Sequence, residues 1–191
     1  MINWGTIIIS VVSFLLGLVS NLFVQWWADR KRLNRINGAL KLHLKDIILK
    51  ECPFLRSEFD RIIVNIQSLS RTEMGFKSFK TFDGEIYKAN NPSDYYQIYG
   101  SDHNKFDKLV SIYAIISFLK DNMPFKLHKN YLKEVSENLH DTINQGISIN
   151  QLFKESPFLD GLRSNYIAAC SGLINEIDTL TQLIKEFIEQ L

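Results

Sequence analysis

The residues of this chain best equipped for acid–base or metal chemistry are His43, His103, His128 and His140; for nucleophilic chemistry they are Cys52 and Cys170. A metal site needs ligands at short, fixed spacing, and these histidines fall on separate segments without one. Asp102-His103 and His140-Asp141 pair a carboxylate with an imidazole. Adjacent residues on a helix point away from one another, so neither carboxylate orients its neighbour as a general base. Cys52 and Cys170 match no zinc or redox spacing and are too few for a disulfide framework, so both are expected as free thiols in a reducing compartment. No phosphate-binding glycine loop, dinucleotide fingerprint, His-Glu-x-x-His or Gly-x-Ser-x-Gly occurs. The sequence predicts no catalytic residue, no metal site, no cofactor and a non-enzymatic role.

Charge narrows the partners. The 191 residues carry 22 Lys and Arg against 21 Asp and Glu, a net +1, without the basic excess of a nucleic-acid binder. Nucleic acid is therefore not an expected partner. Every one of those charges lies at or after Asp29.

What precedes Asp29 is the element that positions the rest. Ile2 to Ala28 has no ionisable side chain. Roughly 20 mostly apolar residues cross about 30 Å of hydrocarbon. From Trp4 to Trp26 a helix rises roughly 33 Å, with an indole at the level of each aromatic belt. A cleaved signal peptide would begin with cations and end in small residues. Here no Lys or Arg precedes the run, and Phe23-Val24-Gln25-Trp26-Trp27 stands where cleavage would fall. A buried core helix seldom stays charge-free for so long. The expectation is a retained transmembrane anchor over 1–28, with Trp4, Trp26, Trp27, Arg30, Lys31 and Arg32 as interfacial anchors and the lipid bilayer as first partner. Arg30, Lys31, Arg32 and Arg35 against Asp29 alone orient it in the inner membrane, N-terminus outside and the remainder cytoplasmic. Only a few residues then need translocation.

One face of that span is polar and small. Thr6, Ser10, Ser13, Gly17, Ser20 and Asn21 follow helical steps, with Gln25 one turn on. Small residues let helix backbones approach and amides hydrogen-bond across the contact, which predicts a self-associating face over Ser10, Ser13, Gly17, Ser20 and Asn21. Ser and Gly also sit harmlessly in isolated spans, bonding their own backbone.

Downstream, the pattern is helical. Leu33, Ile36, Leu40, Leu44, Ile47 and Ile48 continue the span as a juxtamembrane helix over 29–52, which Pro53 is expected to kink or end. Its cations either touch anionic headgroups or only set topology. The remainder, 53–191, reads as a helical bundle. Its first helix carries Leu55, Phe59, Ile62 and Ile66 on one stripe. From Thr72 to Asn104, Gly, Asn and Pro punctuate a run rich in Phe and Tyr. Asp83-Gly84 suits a hairpin turn, while 85–89 and 93–99 suit short helices, the preferred reading. Those aromatics, with Lys77, Lys80 and Lys88, have the chemistry to stack a nucleotide or peptide, but more often fill a bundle end. Ser101 then caps a helix apolar almost all round, expected to be central, ending at Asn122-Met123-Pro124. A weaker helix with Tyr131, Leu132, Val135, Leu139 and Ile143 runs to about Gly146, and Ser148 to Glu155 adds a turn. Last comes a heptad-like seam from Leu162 through Tyr166, Ala169, Leu173, Ile177, Leu180, Ile184 and Phe187 to Leu191. Its acidic polar face is expected near the cationic juxtamembrane helix.

The layout, with Trp26-Trp27-Ala28-Asp29-Arg30-Lys31-Arg32 at the exit and helices after it, resembles small bacterial single-pass membrane proteins with a helical cytosolic domain, some from phage-defence loci. That resemblance implies an all-α fold and a membrane-anchored effector or signalling component, with a domain that senses a partner and a span that forms a homo-oligomer. The alternative is an adaptor tethering a helical protein-binding scaffold to the inner membrane.

Overall fold

A computed structural model describes residues 4–68, 92–139 and 156–190, and all the secondary structure among them is helical. α1 spans Trp4–Asp46, α2 Cys52–Gln67, α3 Pro92–Tyr99, α4 His103–Asp121, α5 Pro124–Leu139 and α6 Pro157–Glu189. The Asp83-Gly84 turn, His140 and the Ser148 to Glu155 turn lie outside the described residues.

Pro53 does not end the first helix. Between α1 and α2 the residues Ile47–Glu51 form a π turn, and the Cys52 N–H donates to the Ile47 carbonyl five residues back. Proline lacks an N–H and its ring collides with the carbonyl four residues earlier. Widening the turn just before it relieves that conflict, so a single helix runs from Trp4 to Gln67. Pro124 and Pro157 stand instead at the starts of α5 and α6, where the missing donor costs nothing.

Three helical walls make the bundle. The long helix is the first: Leu40, Leu44 and Ile47 of α1 share one core with Leu55, Phe59 and Ile62 of α2. The second is α6, with Tyr166, Leu173, Ile177, Leu180, Ile184 and Phe187 buried on the predicted seam. It runs antiparallel to the long helix, since Asp178 pairs with Arg56 while Phe187 meets Tyr99 beside Asn37. The third wall is α4 followed by α5 along the same face of α6. Lys108 reaches Glu186 at 3.2 Å, and Tyr131, further on, stacks on Tyr166. At 33 residues α6 is roughly 50 Å long.

Two expectations about the interior need correcting. α4 is not central: Val110 and Phe118 are 44% and 49% exposed, and it is α6 that packs against α1, α2, α4 and α5. An apolar pattern all round a helix marks burial only when neighbours cover every side. The cap of α4 is Asp102, which accepts from the Lys105 N–H at 3.2 Å; Ser101 lies one residue too early. The turn before it is tight, and a Cβ on Gly100 would collide with the Tyr96 carbonyl oxygen.

Candidate functional site

From Ile9 to Arg32 every residue is exposed, a length of roughly 35 Å. Among the described residues this is the one helix long and apolar enough to cross a membrane. Packing begins only at Leu33, with Leu40 the first fully buried residue. The same helix is thus bare along its apolar half and covered along its amphipathic half.

Several specific contacts meet at the boundary between the two halves. Trp26 and Trp27 are about half exposed, and the Arg30 guanidinium lies 5.3 Å from the first ring, the Lys31 amine 5.0 Å from the second. Spacing of four residues puts each cation over the indole one turn back, an arrangement contributing about 0.5–1 kcal/mol when exposed. Phe23 adds a tilted ring 5.9 Å from Trp26. One residue further on, Arg32 turns to the bundle and donates to Asp94 of α3 at 3.0 Å, with Asp29 more distant at 4.0 Å. Asp94 is 7% exposed. Below it, Tyr99 donates to the Asn37 side chain at 2.6 Å and packs edge-on against Phe187, 5.4 Å away. Burial keeps the Tyr99 phenol well above its ordinary pKa, so it stays a donor. α3 and the end of α6 are therefore clamped to α1 immediately beneath the exposed segment.

The predicted residues fall as follows. Ser10, Ser13, Gly17, Ser20 and Asn21 all lie on the bare part of α1 and are exposed. Asn21 accepts from Gln25 at 3.5 Å along its own helix. A Cβ added to Gly17 would meet nothing within 4 Å. At 3.6 residues per turn this face lies about 140° around the helix from Leu33, Ile36 and Leu40, so it points away from the bundle. Trp26, Trp27, Arg30 and Lys31 stand together at the end of the exposed apolar segment, and Arg32 belongs to the clamp. Trp4 lies in α1, with its side chain outside what is described. The acidic face of α6 meets cations of α2 and α4: Arg56 pairs with Asp178, and Lys108 with Glu186. Gln182 and Lys108 hold Glu186 below its ordinary pKa.

A second polar group lies towards the other end of the bundle. His128 of α5 sits 3.0 Å from the Tyr166 hydroxyl, and Tyr131 stacks on Tyr166 at 4.3 Å with rings 4° from parallel. Burial, with Arg61 nearby, pushes the His128 pKa down; burial pushes Tyr166 up. Cys170 and Cys52 are buried, and desolvation raises both thiols to about 11, where they stay protonated and unreactive. Asp102 is occupied as a helix cap and with Lys105, so it does not serve His103. Among the described residues no three His, Cys, Asp or Glu converge as metal ligands.

The pairs missed by sequence reasoning are Arg32–Asp94, Asn37–Tyr99 and His128–Tyr166. Each joins residues at least 38 positions apart, and no local spacing announces such a contact. The one available signal is Tyr166 within an otherwise apolar seam, since a buried phenol needs a partner. No protein-family model, curated protein or solved structure matches this chain.

Proposed function

We propose that this chain is a single-pass membrane protein that works as an anchored signalling component or effector. The observation that carries the reading is the bare apolar segment from Ile9 to Ala28, followed without a break by a helix that packs from Leu33 onward. Exposed Leu, Ile, Phe and Val along some 30 Å cost roughly 25 cal/mol per Å² in water and nothing in lipid. A cleaved leader fits less well, because bulky Phe23-Val24-Gln25-Trp26-Trp27 stands where small residues would be needed for cleavage. Arg30, Lys31, Arg32 and Arg35 favour a cytoplasmic bundle and an external N-terminus in the bacterial inner membrane. The bundle there meets a partner protein or an infection signal; phage defence as the setting rests on the resemblance in chain plan alone.

The span acts by self-association through Ser10, Ser13, Gly17, Ser20 and Asn21. Its support is the direction of that face, away from the bundle, which leaves room for a second copy. Gly17→Leu with Asn21→Leu tests it. Because Gly17 faces open space, the added side chain does not disturb the monomer. Oligomers in detergent and any growth toxicity should both disappear. Survival of both reduces the span to an anchor.

That outcome would favour the adaptor reading, for which a groove along the α4, α5 and α6 surfaces speaks. Phe118, Leu127, Ala169, Gly172 and Glu176 line part of it, with a volume near 290 Å³. An adaptor keeps its function when the span is exchanged for an unrelated one; a self-associating effector loses it.

A further inference from the structure

We propose that the exit of α1 is a binding surface for anionic phospholipid headgroups, formed by Arg30, Lys31 and Arg35 beneath Trp26 and Trp27. It rests on the transmembrane reading of α1 and adds to it a lipid preference.

The cations at the exit are not equivalent. Arg32 is committed to the buried carboxylate of Asp94, with Asp29 also beside it. Arg30, Lys31 and Arg35 are exposed. At 100° per residue, Arg30, Trp27, Lys31 and Arg35 cover an arc of about 140° centred opposite Leu33, Ile36 and Leu40. The positive charge therefore faces outward from the bundle, along one side of the helix. The indoles fix its depth. Trp26 and Trp27 close an apolar segment of membrane-spanning length, and amphipathic rings settle at headgroup level. The Arg30 guanidinium and the Lys31 amine lie over those same rings, so the two charges are held at the depth the indoles mark. Arg35 follows Lys31 one turn lower on the same side.

The ligand this favours is a lipid with net negative charge. A zwitterionic headgroup offers a phosphate but brings its own cation. Near an acidic leaflet each Lys or Arg contributes roughly a five-fold preference (about 1 kcal/mol). The remaining cations of α1 are too distant to share the role. Lys41 and Lys45 lie roughly 20 Å or more below Trp27, beyond a Debye length at physiological salt.

The test reconstitutes the full chain in vesicles of phosphatidylcholine mixed with phosphatidylglycerol, extracts it in mild detergent and measures the ratio of the two lipids retained. Wild type should retain phosphatidylglycerol several-fold above its share of the vesicle. R30Q/K31Q/R35Q should fall to the bulk ratio. The charge-keeping R30K/K31R/R35K and the deeper K41Q/K45Q should both behave as wild type. Soluble glycerol phosphate should not displace the lipid; displacement would mean a free-anion site and overturn the proposal. Equal retention by wild type and R30Q/K31Q/R35Q also overturns it. If wild type shows no enrichment but stays in alkali-washed vesicles, the lipid site falls and the transmembrane reading stands. If wild type washes out, both fall.

Discussion

Asp94 links the bundle to α1, next to the exposed apolar segment, through one side chain. Its carboxylate is buried while its partner Arg32 is half exposed, so loss of the acid removes a charge-assisted bond whose strength water already moderates. Asp94→Ala should lower stability by about 1 kcal/mol, read as an earlier loss of helicity in urea. His128 gives a pH signature. Its pKa is depressed below 6.5 in the folded chain, so the unfolded chain binds more protons in that range. Stability contributed by neutral His128 is therefore complete above about pH 6.5 and is lost as the pH falls below it. Denaturation midpoints across that range should fall with acid in wild type and much less in His128→Gln. Neither residue's role was legible beforehand. Asp94 sat among short-helix residues and His128 looked like a lone imidazole, because both partners come from distant segments.

At the level of elements the reading was better, since helical periodicity is a local property. The α6 seam from Leu162 to Phe187 matches the buried face nearly residue for residue, Ala169 being the exposed exception. Leu180 and Ile184 are fully buried against two other walls. Replacing either by alanine should cost about 2–5 kcal/mol in the same urea measurement. Ala169→Ser, on the exposed side, should stay within about 0.5 kcal/mol. Where local rules compete, one expectation is narrowed and another fails. Pro53 is a helix breaker by propensity, yet the chain accommodates it with a π turn because Leu44 and Ile47 on one side and Leu55 and Phe59 on the other are held in one core. α4 is apolar nearly all round, and only assembly decides which of its sides are covered.

For the whole molecule, the decisive feature is one helix with two surroundings. Its bundle half is packed and clamped by Arg32–Asp94 and Asn37–Tyr99; its other half is exposed at every described residue from Ile9 to Lys31. On the proposed reading, a connection of this kind would carry rotation or tilt of the span into the bundle. The length of the apolar run was plain in the sequence, while its lack of cover and the clamp beneath it needed the folded chain. The most direct test places single cysteines at Ile2 and at Lys41 in a Cys52→Ala, Cys170→Ala background and treats intact bacterial cells with a membrane-impermeant maleimide. A span that crosses with the bundle inside predicts labelling of Ile2→Cys without lysis and of Lys41→Cys only after it. Labelling of both, or of neither, in intact cells would contradict a span that crosses the membrane with its bundle inside.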